Sequence, residues 1–281
     1  NRSQAAFDLD PAEDRGHFPG SVDSMTTLLR IERDDALVGA INWFAVHNTS
    51  MTNRNRLISS DNKGWAAYSW ESEGTAPRTG DAELVTAFAQ TNAGDISPNL
   101  DLKPGTGPTA DERENTRIIG ERQLAAAQSL ASAAGEQLET AIDTRLVYVD
   151  MARQITAAGR TGPGILGASF AAGKLTDGPG SPLFDEGHNN PFFERISRRL
   201  YRRSPELAAV QSPKDMAIPV GMLRWSQERF PVQLVRIGSL YLVCLPFEVT
   251  IVSGLRIRQR VAEVLGTDLD HVLCQGYANG F

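Results

Sequence analysis

The chain has 281 residues, 28 Lys and Arg against 34 Asp and Glu, a formal net charge of −6, and 41% hydrophobic residues. That is enough chain to bury a sizeable core, and the composition excludes a largely disordered protein. The acidic balance, with a pI near 5.3, argues against a nucleic-acid-binding surface.

In chain order, residues 25–32 predict a strand and Arg33-Asp34-Asp35 a hairpin turn. Residues 37–46 are almost wholly apolar, the pattern of a central strand buried on both faces. Residues 65–71 predict a short helix with Trp65, Ala66, Tyr68 and Trp70 inward, and residues 84–91 a second buried strand. Thr109 and Glu112 have the spacing of a capping box for a helix reaching Ala134. Ile118, Ile119, Leu124, Ala125 and Leu130 would face the core, and Gly120 would mark close packing. Residues 146–151 predict a short strand, 160–190 a long Gly- and Pro-rich loop, and 192–205 a basic amphipathic helix. A hairpin through Gly238-Ser239 joins residues 232–237 to 240–245; its apolar run, 237–247, is too short to span a bilayer. A helix capped by Ser253 then carries Leu255, Ile257, Val261 and Val264, and residues 271–274 form a last strand. Cys244 and Cys274, both in apolar runs, read as buried thiols. Strands and helices are interspersed, which predicts an α/β fold class: a mixed β-sheet core with covering helices and long active-site loops, in one domain.

Three loops follow buried strands, where ligands of open α/β sheets tend to sit. The first holds His47, a metal ligand or base if it is not simply a structural histidine. The second, Gly94-Asp95-Ile96-Ser97-Pro98-Asn99, presents the Ser97 hydroxyl as nucleophile or oxyanion donor, or else is a Ser-Pro turn with Asp95 bonding its own backbone. The third holds Glu248 inside an apolar run, where a buried carboxylate must be metal-bound, protonated or paired, with Arg236, Arg256 or Arg258 as the candidate partners. Gly173-Lys174 fails the phosphate-loop pattern twice, at Ala168 and Leu175. His17, His188 and His271 have no partner at ligand spacing and read as surface or structural residues.

At these same loops the sequence resembles the neutral (non-lysosomal) ceramidase family. The matching stretches are Asn1-Arg2-Ser3, WFAVHNTSMTNRNRLISSDNKGWAAY at 43–68, QTNAGDISPN at 90–99, SFAAGKLTDGPG at 169–180 and LPFEVTIVSGLRIR at 245–258. The resemblance implies hydrolysis of the ceramide amide to sphingosine and a fatty acid. It implies a catalytic Zn2+ held by two histidines, a glutamate and a tyrosine, with His47 as the second histidine and Glu248 as the glutamate. It matches Ser97 to the family's essential serine and Arg2 to an arginine that approaches the substrate carbonyl. The other two ligands have no counterpart here, and Tyr277 falls too early in its motif to stand for the tyrosine. The chain then reads as the central part of a catalytic domain, residues 1–281, truncated at both ends.

Zinc would lower the pKa of a bound water to about 7 and polarise the carbonyl. The preferred reading makes that water the nucleophile and Ser97 a positioning group; direct attack by Ser97 is the alternative. Two competing readings are a metal-independent serine amidase or esterase acting on another lipid, and a non-catalytic lipid-binding fragment. The family resemblance further implies a secreted or extracytoplasmic protein in peripheral contact with a membrane surface, with no nucleic-acid partner.

Overall fold

In the computed structural model, residues 1–73, 84–168, 170, 176–178 and 190–280 are described. Gly173, Lys174 and His188 lie outside them, as does much of the expected long loop.

The first sheet is built from β1 (Thr26–Arg33), β2 (Ala36–Phe44) and β3 (Val85–Gln90), in that order. β1 and β2 pair antiparallel through Asp34 and Asp35, whose φ of 51° and 62° are those of a type I′ hairpin turn. β3 runs parallel to β2, so both strands end on the same side, just before His47 and the 91–99 loop. The second sheet adds β4 (Ile142–Asp150), β9 (Arg229–Ile237), β10 (Leu240–Cys244) and β11 (Val272–Gln275), in the order β11-β10-β9-β4. Between β4 and β9 lie the two-residue strands β5 (Ile155–Thr156), β6 (Gly159–Arg160) and β7 (Leu166–Gly167), and β8 (Met216–Ile218); β7 pairs with β8.

The expected mixed sheet is thus two mixed sheets, and alternation along the strands shows how they stack. After two four-residue helices, α1 (Gln4–Phe7) and α2 (Ala12–Arg15), come α3 (Asp61–Glu73) and α4 (Glu112–Ser132); Ala40 of β2 packs with these last two, in a cluster with Ala66, Trp70, Leu124 and Ala127. Trp43, on the other face, packs against Leu240 and Leu273 of the second sheet. Trp43 Nε1 also donates to Gln275 Oε1 at 2.7 Å. On the far side, Val243, Val272 and Cys274 meet Ala262 of a third helix, Ile251–Leu265. β2 is therefore buried on both faces, one against helices and one against a sheet. Both cysteines are buried and free. Among the described residues, no helix is long and apolar enough to cross a membrane.

Several local expectations shift. Asp111, not Thr109, caps α4, accepting from Arg113 N and Glu114 N. Glu112 reaches instead to Thr52 N, at 2.8 Å. Ile119, Leu124 and Ala127 are the buried apolar residues of α4, whereas Ala125 and Leu130 are exposed. Gly120 does mark close packing: a Cβ there would lie 2.7 Å from Asn62 O and 2.8 Å from the Trp65 ring. Trp65 and Tyr68 are exposed rather than inward, and Thr250 rather than Ser253 caps the third helix, where Val264 is exposed.

Candidate active site

The three loops meet at the strand ends. Gly94 N donates to Val249 O at 2.8 Å, and His47 N to Ile96 O at 3.1 Å. A Cβ at Gly94 would stand 2.5 Å from Glu248 O, so only glycine allows the second and third loops this contact. Asp95 does more than turn its own backbone: Oδ1 accepts from Ile251 N and Oδ2 from Asn1 Nδ2, both at 2.9 Å. Its carboxylate thereby sits at the N-terminus of the Ile251–Leu265 helix and ties the first residues of the chain to the same place. Phe7, Val46, Ile96 and Ile251 form the apolar floor beneath the loops.

The start of α3 clamps the first loop from below. Asp61 accepts from Ser50 N at 3.1 Å and Met51 N at 2.8 Å. Asn62, fully buried, donates to His47 O and Ser50 Oγ, each at 3.0 Å. Lys63 Nζ is also buried and bridges Phe44 O, Ala89 O and Gln123 Oε1 at 3.0 Å each, tying the ends of β2 and β3 to α4. Burial in this neutral setting lowers its pKa to about 7.

Ser97 and Arg2 are joined through a residue absent from the sequence-derived set, Asp177. Ser97 Oγ donates to Asp177 Oδ1 at 2.5 Å and accepts from Asn99 N at 3.0 Å. The same Oδ1 accepts from Asn99 Nδ2 at 2.8 Å and Thr49 Oγ1 at 3.1 Å. Arg2 Nη1 donates to Oδ2 at 2.6 Å, while Nε and Nη2 hold Gly94 O at 3.1 and 2.7 Å. Burial pushes the Asp177 carboxyl up, but the Ser97 hydrogen bond and the Arg2 charge outweigh it and hold the group below its ordinary value.

Arg2 continues to the second half of the site, where its Nη2 lies 3.6 Å from Glu248 Oε2. Arg2 is thus the arginine beside Glu248. Of the three expected partners, Arg236 bonds Gly238 O, Arg256 pairs with Asp14, and Arg258 bonds Val272 O and Leu269 O. The Glu248 side chain is 36% exposed rather than buried, because the apolar run ends at a loop before the helix. Its Oε1 faces His47 Nε2 at 3.8 Å. The His47 ring is the main cause holding the Glu248 carboxyl below its ordinary value, against the opposing effect of burial, with Arg2 and the Tyr277 hydroxyl adding to it.

Tyr277, set aside in the sequence on its motif position, brings its hydroxyl to 3.0 Å from His47 Nε2. Burial and then the Glu248 charge raise its pKa, so the phenol stays protonated. Its backbone has φ of 56°, a left-handed conformation uncommon for a tyrosine.

His47 has the orientation a metal ligand needs. Its Nδ1 lies 2.8 Å from Ile96 O, an acceptor only, so Nδ1 donates there and Nε2, facing Glu248 and Tyr277, is the nitrogen a metal could take. An imidazole nitrogen beside a carboxylate suits zinc by donor type. Among the described residues no group of three or more His, Cys, Asp or Glu side chains converges to hold a metal ion. A cavity of about 430 Å³ lined by Met151, Ala152, Val210 and Phe230 contains none of these site residues, although the Phe230 ring packs 4.9 Å from that of Phe247.

Comparison with known proteins places this layout. The family model for the N-terminal part of neutral/alkaline non-lysosomal ceramidases matches residues 1–281, and the chain belongs to that family. It is 46% identical to the neutral ceramidase of Mycobacterium tuberculosis over 297 residues, covering 100% of this chain and 46% of that protein. It is 41% identical to the neutral ceramidase of Pseudomonas aeruginosa, covering 95% of this chain and 41% of that protein. A solved ceramidase complexed with C2 superposes with a TM-score of 0.80 at 37% identity, over 99% of this chain and 44% of that one. The chain thus spans less than half the length of these relatives.

Proposed function

We propose that the protein carrying this chain hydrolyses the N-acyl amide of ceramide to sphingosine and a free fatty acid, with a zinc ion held in part by His47 and Glu248. The observation that carries the reading is a continuous polar chain. Ser97, Asp177, Arg2, Glu248 and His47 follow one another at 2.5, 2.6, 3.6 and 3.8 Å, although they come from distant parts of the sequence. Family membership supplies the substrate class.

Zinc at that pair would polarise the substrate carbonyl and lower the pKa of water. The chain's own residues orient the reactants. Asp177 accepts from Ser97, Asn99, Thr49 and Arg2 at once, which fixes the Ser97 hydroxyl and leaves the carboxylate a weak base. Ser97 therefore acts as a held hydroxyl that hydrogen-bonds the reacting amide, rather than as a deprotonated nucleophile. A metal-independent serine hydrolase needs a base able to take the Ser97 proton, and among the described residues its side chain donates to this saturated carboxylate. Arg2 stands between the two halves as a fixed positive charge for developing negative charge on the carbonyl oxygen.

The test is fatty-acid release from ceramide by the intact protein, with metal content measured in parallel. Ser97→Ala is expected to lower kcat by roughly 10²–10³, and His47→Ala to remove both bound zinc and turnover. Full activity in zinc-free protein would overturn the metal assignment. Absence of ceramide hydrolysis by zinc-loaded protein would overturn the substrate.

A further inference from the structure

The helix Pro191–Arg203 takes no part in the chemistry above and differs in charge from the rest of the chain. It carries Arg195, Arg198, Arg199, Arg202 and Arg203, in a protein of net charge −6. Glu194 offsets one of these, pairing with Arg198. Among the described residues the helix is tied to the fold through Ser197 and through the Tyr201 hydroxyl, which meets Gln211 O at 3.0 Å and Lys214 O. Ser197 is its buried residue, with Oγ donating to Phe193 O and accepting from Met216 N of β8, both at 2.8 Å.

A helix of this composition would ordinarily turn its large apolar residues to the core. Here the small one faces inward. Phe192, Ile196 and Leu200, four residues apart and so on one stripe, are all exposed, Phe192 by 66%. Arg195, Arg199 and Arg203 form the adjoining stripe by the same spacing and are exposed too. Elsewhere, the segment after β8 also exposes Met222, Leu223 and Trp225.

We infer that this helix is an interfacial element that docks the protein on an anionic lipid bilayer. The arginines need anions and the stripe beside them needs hydrocarbon. A bilayer bearing acidic headgroups supplies both along one plane: the stripe enters the headgroup–acyl boundary while the guanidinium groups stay with the lipid phosphates. The helix follows Asp177, the carboxylate holding Ser97, in the chain. The biological sense of the docking rests on the proposed ceramide reading, since such a substrate resides in the bilayer; the binding itself does not.

The test is co-sedimentation of the intact protein with vesicles of phosphatidylcholine alone and of phosphatidylcholine mixed with phosphatidylserine. Binding is expected to the mixed vesicles and to weaken with salt. Replacing Arg199, Arg202 and Arg203 by Glu is expected to weaken it about 100-fold or more. Phe192→Ser with Leu200→Ser is expected to weaken it as well, with an unchanged circular dichroism spectrum. Turnover of a soluble short-chain ceramide should be the same in all three proteins. Loss of that turnover in wild type with vesicle binding intact would sink the catalytic reading and leave this one standing. Equal vesicle binding by wild type and both variants, or no binding to mixed vesicles, would overturn the inference. So would variants that change only the oligomeric state, which would make the face a protein interface.

Discussion

Asp177 makes Ser97 and Arg2 one unit, and that unit predicts its own mutational behaviour. Asp177→Asn keeps the size but removes the charge, leaving Arg2 without its 2.6 Å partner and Ser97 with a neutral acceptor. We expect kcat to fall by about 10². Combining it with Ser97→Ala should cost little more than the worse single change, because groups that act together are not additive. Additive losses in steady-state kinetics would separate the two residues. Gly94→Ala tests the backbone contact: its Cβ would meet Glu248 O at 2.5 Å and Val249 at 2.8 to 2.9 Å. A lower thermal midpoint, reflecting about 1–3 kcal/mol of overpacking, should accompany reduced activity. At this scale the sequence was legible where a residue type is odd for its place. Ser97 in a Gly/Pro-framed loop and Glu248 in an apolar run both stood out, and the family resemblance gave them roles; the structure places them in one polar chain. Asp177 gave no such signal, because an aspartate in a Gly-rich loop is ordinary, and the approach of the Tyr277 hydroxyl to His47 depends on how its loop folds back, which motif position does not carry. Exposure was also misjudged: Glu248 sits in an apolar run yet is more than a third exposed, because burial is decided by what packs over a loop and not by its neighbours in sequence.

Among the elements, α3 carries the least expected role. Its sequence showed a short helix with aromatic residues, but its first residues are the underside of the site. Lys63 gives this a pH signature. Its pKa in the fold is lowered to about 7 from the usual 10.5, so the unfolded chain binds more protons between those values. Stability should therefore rise with pH from about 7 towards 10.5. Lys63→Met should flatten that rise in urea unfolding series, while costing stability at high pH through the stranded carbonyls of Phe44 and Ala89. An unchanged slope would show that the rise has another source. At α4, Asp111→Ala should cost about 1 kcal/mol and Thr109→Ala less, in equilibrium unfolding, since Asp111 holds the two free N–H groups. The capping box misled because Glu112 has a stronger use: it accepts from Thr52 N across the fold.

Over the whole molecule, period-two alternation and apolar runs gave strands and helices in the right order, with ends off by a few residues. What they did not give is the stacking of two sheets. A strand buried under a helix and one buried under another sheet have the same apolar pattern; only Trp43 meeting Leu240 and Leu273 distinguishes them. The exposed β4 edge was likewise unreadable, since Leu146, Val147 and Tyr148 look like core residues in sequence yet lie in the open.

The polar chain through the site has a kinetic consequence. Its links close loops of 80 residues between Ser97 and Asp177 and 175 between Arg2 and Asp177, and the neighbouring contact of His47 with Tyr277 closes one of 230. Contacts of such separation form late, after the local hairpins and helices have paid the cost of ordering the chain. During refolding, far-ultraviolet ellipticity should return before activity does, and the recovery of turnover would time the last closure in the molecule.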